Sequence, residues 1–246
     1  MLRFDNLTLG YGRHPVVHHL NGQIPTGSLL AVIGPNGGGK STLLKGILGQ
    51  LPPLDGQVKL AVSRQQIGYL PQLSRIDRQF PISVREVVAM GLWRHCGLFG
   101  RLARQHRLKV DGALERVGLD GMADENLDAL SGGQLQRALF ARLWLQDAEL
   151  MLLDEPFSAI DSQTTEDLLG LLRDWQSEGK TILAVLHDMN QVSRHFPTTL
   201  LLAREVIAWG ATPEVVTEAN LHRARHQRTA PDPDAAECHR PTEPSL

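Results

Sequence analysis

The sequence is poor in cysteine, in aromatic residues and in net charge, and each shortage removes a class of protein. Two cysteines in 246 residues, Cys96 and Cys238, cannot make a disulfide framework, so the chain does not read as a stapled secreted scaffold. With only 12 aromatics as well (6 Phe, 4 Trp, 2 Tyr), its composition is that of a protein of a reducing, cytosolic compartment. The 25 Lys+Arg against 27 Asp+Glu leave a net charge of −2, without the basic surface that phosphate-backbone contacts need, which argues against a nucleic-acid partner. No apolar run approaches the roughly 20 residues of a membrane-spanning helix. Nor does Met1-Leu2-Arg3-Phe4-Asp5 have the charged and apolar regions of a signal peptide.

What is present is enough chain for a substantial core. A chain of this length buries roughly 70–75% of its unfolded surface, and at about 150 residues per domain it makes one domain with a large insertion or two joined lobes. The first third is rich in strand patterns: Leu2, Phe4, Leu7 and Leu9 roughly alternate, Val58, Leu60 and Val62 alternate strictly, and Ser28–Ile33 is a short apolar run ending at Gly34. From about Ser74 to Leu130 the segments are charged and helical in spacing. There Ser83-Val84-Arg85-Glu86 forms a capping box that predicts a helix through Trp93. After Ser131 the pattern predicts a helix to about Gln146, a strand Leu150–Leu153, a helix Ser162–Ser177 stopped by Gly179, and a strand Thr181–Leu186. Such alternation indicates a parallel sheet covered by helices. Residues from about 221 on, with Pro231, Pro233, Pro241 and Pro244 and few large apolar side chains, read as a flexible tail.

Three motifs carry chemistry. Gly34-Pro35-Asn36-Gly37-Gly38-Gly39-Lys40-Ser41-Thr42 fits G-x-x-x-x-G-K-[ST], between a strand Leu29–Ile33 and a helix Thr42–Gln50. Its glycines let backbone N–H groups curl around a phosphate, Lys40 can reach the β- and γ-phosphates, and the Ser41 hydroxyl can bind Mg²⁺. A bland glycine turn would leave the Lys-Ser pair in register unexplained. Next, Leu150–Leu153 delivers Asp154 and Glu155 at a strand's carboxyl end, where ligands sit in open α/β sheets. Asp154 suits a Mg²⁺ ligand and Glu155 the base that polarises the attacking water, a pair that favours hydrolysis over phosphoryl transfer to a second substrate. Finally, Ser131-Gly132-Gly133-Gln134 is a second capping box with two glycines that leave an anion room. Two phosphate-binding surfaces on one chain are most simply used in a head-to-tail homodimer, each copy closing over the nucleotide held by the other.

Gly34–Thr42, Leu130–Arg137 and Leu150–Pro156, in this order, resemble the ATP-binding subunit of ATP-binding-cassette (ABC) transporters over roughly residues 1–220. The resemblance implies an α/β fold: a P-loop nucleoside triphosphatase core with a mainly parallel sheet and flanking helices, an antiparallel β subdomain, and an α-helical subdomain inserted at about 74–130. It also implies roles that the residues alone do not announce. Tyr11 would stack on adenine, Gln72 would reach Mg²⁺ and the attacking water, His187 would contact the γ-phosphate, and Ser158-Ala159-Ile160-Asp161 would be the dimer-contact loop. Ile160 stands where leucine is common.

Within the family, Asp77–Gly91 resembles zinc and manganese importer ATPases, with siderophore and haem importer ATPases as the alternative. The implied function is ATP hydrolysis driving uptake of a divalent metal, zinc first and manganese next. The implied setting is peripheral, on the cytoplasmic face of the inner membrane, with a separate integral permease and an extracytoplasmic metal-binding protein. A soluble, non-transport ABC ATPase is the rival from another class, but its usual second cassette or long coiled coil does not fit into 246 residues. His222, His226, Cys238 and His239 are potential metal ligands whose spacing matches no zinc pattern, and incidental tail histidines are the plainer reading. His14, His18 and His19 read as surface histidines, and Cys96 as a small residue of the helical lobe.

Overall fold

The computed structural model describes residues 1–96 and 104–226. In chain order the elements are β1 (Leu2–Tyr11), β2 (His14–Ile24), β3 (Leu29–Ile33), α1 (Lys40–Leu48), β4 (Asp55–Leu60), β5 (Ile67–Leu70), α2 (Val84–Ala89), α3 (Trp93–Cys96), α4 (Arg104–Arg116) and α5 (Gly132–Leu145). They continue with β6 (Leu150–Asp154), α6 (Ser162–Ser177), β7 (Thr181–Val185), α7 (Met189–His195), β8 (Thr198–Ala203), β9 (Glu205–Ala211), α8 (Thr212–Val215) and α9 (Glu218–His226). The chain divides into two compact units, 1–64 with 183–246, and 65–182.

In the first unit β1 pairs antiparallel with β2 and with β4, so Phe4 lies between Gly22 and Val58. Gly22 has no side chain because the ring of Trp209 occupies the place: a Cβ there would lie 2.3 Å from it, and Phe4 and Trp209 pack with centroids 6.1 Å apart. The second sheet portion of this unit is β3 parallel to β8, with β9 returning antiparallel on β8. All five residues of β3 are buried, as an apolar strand covered on both faces requires. Helix α1 packs on β1 through Gly46, whose missing side chain makes room for Leu9.

In the second unit β5 and β6 pair in parallel, Leu70 beside Leu153. Helices α2 and α4 pack on α5, and Gly91 lets the chain approach the Arg142 carbonyl, 2.4 Å from where a Cβ would be. Trp175 of α6, 1% exposed, is held by Phe140 at 5.8 Å and by Trp144, stacked at 5.6 Å, with the Arg116 guanidinium 4.4 Å from the Trp144 ring centroid. Aromatic pairs of this kind add about 0.5–1.5 kcal/mol beyond their burial.

Both capping boxes form: Ser83 with Glu86 at α2, and Ser131 with Gln134 at α5. The helix expected through Trp93 tightens to a 3₁₀ turn at Met90–Leu92 before α3, where Gly91 makes its close approach. The helix expected at Thr42–Gln50 starts at Lys40 and stops at Leu48, because Gly39 and Gly49, both left-handed, cap its two ends. The segment expected as a tail from 221 is helical where it is described. Residues 221–226 complete α9, anchored by Ala224 at 2% exposure, while the rest of that tail, with Cys238 and His239, lies outside the described residues. His14 and His19 are exposed, whereas His18 is half-buried, and that burial pushes its imidazole below the usual range.

Candidate functional site

The phosphate loop leaves β3 at Gly34, whose φ of 147° and close approach to β8 both demand glycine: a Cβ would lie 1.9 Å from the Leu202 carbonyl oxygen. Pro35, Asn36 and Gly37 form the turn, closed by the Gly38 N–H donating to the Pro35 carbonyl at 3.0 Å. Behind it the Arg204 N–H donates to the Gly38 carbonyl at 2.9 Å, and the Arg204 carbonyl accepts from the His18 N–H at 2.8 Å. Arg204 itself has φ 67°. A cavity of about 330 Å³ lies against Asn36, Gly37 and Gly38, with Val16 and Arg204 on its other walls.

Gly39 caps α1 at φ 94° with no side-chain hydrogen bond, and its carbonyl accepts the Leu43 N–H at 2.8 Å. Lys40 is 6% exposed and its Nζ donates to the carbonyls of Gly34 and Pro35, both at 2.9 Å. The ammonium is thus folded onto its own loop. Ser41 is half-buried and Thr42 buried. Tyr11, at the end of β1, is 47% exposed; Lys45 of α1 donates to its hydroxyl at 3.1 Å and lies 5.3 Å from its ring centroid. His187 is exposed just beyond β7, in the same compact unit.

The second unit gathers the rest. Asp154 ends β6 at 1% exposure, with Arg75 Nη1 3.6 Å from its Oδ2. Glu155 follows with φ 52°, a left-handed backbone that turns its carboxylate out of the strand line. Gln72 Nε2 donates to Glu155 Oε2 at 2.8 Å, and Ser158 Oγ donates to the same oxygen at 3.3 Å. Gln72, Glu155 and Ser158 therefore meet at one carboxylate.

Ser131–Gln134 meets Ser158–Asp161 as well. A Cβ on Gly132 would lie 3.2 Å from the Ala159 carbonyl oxygen, and one on Gly133 3.4 Å from Asp161 Oδ2. The two turns thus lie close together, a contact that the capping motif alone does not reveal. Asp161 caps α6 by accepting the Thr164 N–H at 2.8 Å, and that bond holds its carboxyl below the usual range. Ala159 has φ 60° and Ile160 is half-buried.

Two functional neighbours escaped sequence reasoning. Arg75 sets the charge beside Asp154, and nothing in its surface-like context signals it. Gln136, 2% exposed, donates through Nε2 to the Pro156 carbonyl at 2.7 Å and so ties α5 to the turn after Glu155. Its signal was a polar residue placed among the apolar positions of α5.

The model of the ABC transporter family matches residues 17–158. The chain belongs to the ABC transporter family. The zinc transport system ATP-binding protein TroB of Treponema pallidum is 40% identical to this ABC protein over 91% of this chain and 86% of its own. The manganese transport system ATP-binding protein MntB of Bacillus subtilis is 38% identical over 90% and 91%. Among solved structures, the dimeric, post-hydrolysis ATP-binding cassette MJ0796 bound to ADP and Pi has a TM-score of 0.75 and 26% identity, covering 86% of this chain and 99% of that one. The expected α/β nucleoside triphosphatase fold is thereby shown, and this ABC chain is an ATP-binding, ATP-hydrolysing subunit. Among its described residues no helix is long and apolar enough to cross a membrane.

Proposed function

We propose that this ABC ATPase energises uptake of a divalent metal ion, zinc first and manganese next, through a separate integral permease. The observation that carries the reading is the match along nine-tenths of the chain to a zinc and a manganese transport ATP-binding protein. It works as a homodimer on the cytoplasmic face of the inner membrane, with an extracytoplasmic metal-binding protein delivering the cargo. The 1–220 stretch is the ATPase domain, and the segment of about 74–130 faces the permease.

In this reading Tyr11 stacks on adenine, worth about 1–3 kcal/mol by analogy with base–aromatic stacking elsewhere. Gly34–Thr42 cradles the phosphates, with Lys40 exchanging its loop carbonyls for the β- and γ-phosphates. Ser131–Gln134 of one copy closes on the nucleotide held by the other, and Ser158–Asp161 makes the dimer contact. Glu155 polarises the attacking water while Gln72 and Ser158, already bonded to its Oε2, hold the carboxylate in place. His187 contacts the γ-phosphate. The donor set for Mg²⁺ is the buried Asp154 carboxylate, the Ser41 hydroxyl and the Gln72 amide oxygen, all hard oxygen ligands of the kind Mg²⁺ takes alongside phosphates. Bound there, Mg²⁺ would neutralise charge on the β- and γ-phosphate oxygens.

The test is co-purification from membranes, with identification of the hydrophobic partner and of the metal that stimulates ATP turnover. A permease recovered with zinc- or manganese-stimulated ATPase activity supports the reading. Stimulation by an iron chelate instead overturns the cargo, and absence of any hydrophobic partner overturns the transporter role.

A further inference from the structure

Among the described residues no three His, Cys, Asp or Glu side chains come together to hold a metal. A pair does. His222 and His226 stand one turn apart on α9, both exposed, with ring centroids 4.2 Å apart and their Nε2 atoms 3.0 Å from one another. The i,i+4 spacing puts both on one stripe of the helix. On the far side Ala224 is buried at 2% exposure, which fixes the helix with the pair outward.

Two physical points favour reading this pair as a ligand set. Two imidazole nitrogens bound to one zinc at about 2.0–2.1 Å lie about 2.9–3.4 Å apart for bond angles between a right angle and the tetrahedral one. The observed 3.0 Å is within that span without any rearrangement. Glu218 stands one turn before His222 on the same stripe, adding negative potential, while Arg223 and Arg225 are the cations that oppose it.

We infer that His222 and His226 form a two-histidine clip for a late first-row divalent cation of the zinc class, with water completing the coordination. Imidazole pairs suit zinc, copper and nickel, whereas Mg²⁺ and Mn²⁺ prefer carboxylate, carbonyl and water oxygens. The clip is therefore separate in chemistry from the nucleotide's Mg²⁺ ligands, and it stands whatever cargo the transporter moves. A cation bridging the two rings would tie one turn of α9 together.

The experiment is calorimetric titration of Zn²⁺ into the full-length, tag-free, chelator-treated protein, with Mn²⁺ and Mg²⁺ titrated alongside. Parent protein is expected to show a zinc-binding event that weakens by roughly 10–100-fold or more in His222→Ala and in His226→Ala, at least the loss that even second-shell changes cause in metal sites. The same variants should keep the parent's far-ultraviolet circular dichroism and Mg·ATP turnover without zinc. Zinc affinity equal in the parent and both variants overturns the clip. So does Mn²⁺ or Mg²⁺ binding as tightly as zinc to the parent and losing that binding in the variants.

Discussion

At Gly39 the phosphate loop enters α1 with a left-handed glycine and no side-chain cap, whereas at Ser131 the second glycine turn enters α5 with a complete reciprocal capping box. Both turns are glycine-rich and both open a helix, yet they leave different things for a ligand. The α1 entry has no side-chain cap and holds a buried ammonium on two loop carbonyls, the arrangement proposed above for a phosphate site. In the α5 entry the Ser131 hydroxyl accepts the Gln134 N–H at 3.2 Å and the Gln134 Oε1 accepts the Ser131 N–H at 2.9 Å. That turn is closed by its own side chains, and its glycines lie against the neighbouring Ala159–Asp161 loop. The lesson is that two glycine-rich turns that both open helices are held differently, one by a lysine folded onto its own loop carbonyls and the other by a reciprocal capping box.

The contrast can be attacked by substitution. The largest effect should come from neither turn: Glu155→Gln is expected to slow ATP turnover about 10²–10⁴-fold, the scale for a general base, while nucleotide affinity stays at the parent value. Single-turnover and binding assays check it, and parent-level turnover would remove Glu155 from the chemistry. Lys40→Ala should weaken ATP binding roughly 10–100-fold, since hydrogen bonds to charged groups contribute about 1.5–3 kcal/mol. Unchanged affinity in a fluorescent-nucleotide assay would contradict the phosphate-loop reading.

Gly34→Ala should cost roughly 1–3 kcal/mol of folding stability from backbone strain alone. Its Cβ would also meet the Leu202 carbonyl at 1.9 Å, so denaturant unfolding should show at least that loss. The smallest and most discriminating pair is Ser83→Ala and Ser131→Ala. Each removes a capping box of the same kind, so each should lose about 1 kcal/mol of stability. Only Ser131→Ala should also lower ATP turnover, and equal turnover in the two variants would reduce Ser131 to a helix cap.

Much of the site was legible because its chemistry is local. A phosphate cradle needs consecutive glycines and a Lys-Ser pair within nine residues, and the helix caps need a serine and a carboxylate or amide three positions on, so both appear as words in the chain. Tyr11, Gln72 and His187 were legible only through likeness to a family, since a lone tyrosine, glutamine or histidine carries no pattern. Arg75 was not legible at all. Its importance is a 3.6 Å approach to Asp154, made by two segments far apart in sequence. The helix boundaries at Lys40 and Met90 shifted for a related reason, because Gly39 and Gly91 act through backbone conformation and close approach.

The order of the motifs along the chain determined, without coordinates, that this protein handles a nucleoside triphosphate and hydrolyses it, because the necessary donors and carboxylates come in short contiguous runs. Only tertiary structure decided that Gln72 and Ser158 share the Glu155 carboxylate, that Gly133 faces Asp161, and that His222 and His226 end 3.0 Å apart on an anchored helix. Those facts depend on side-chain directions and on contacts between segments brought together by packing, which the residue order constrains but does not display.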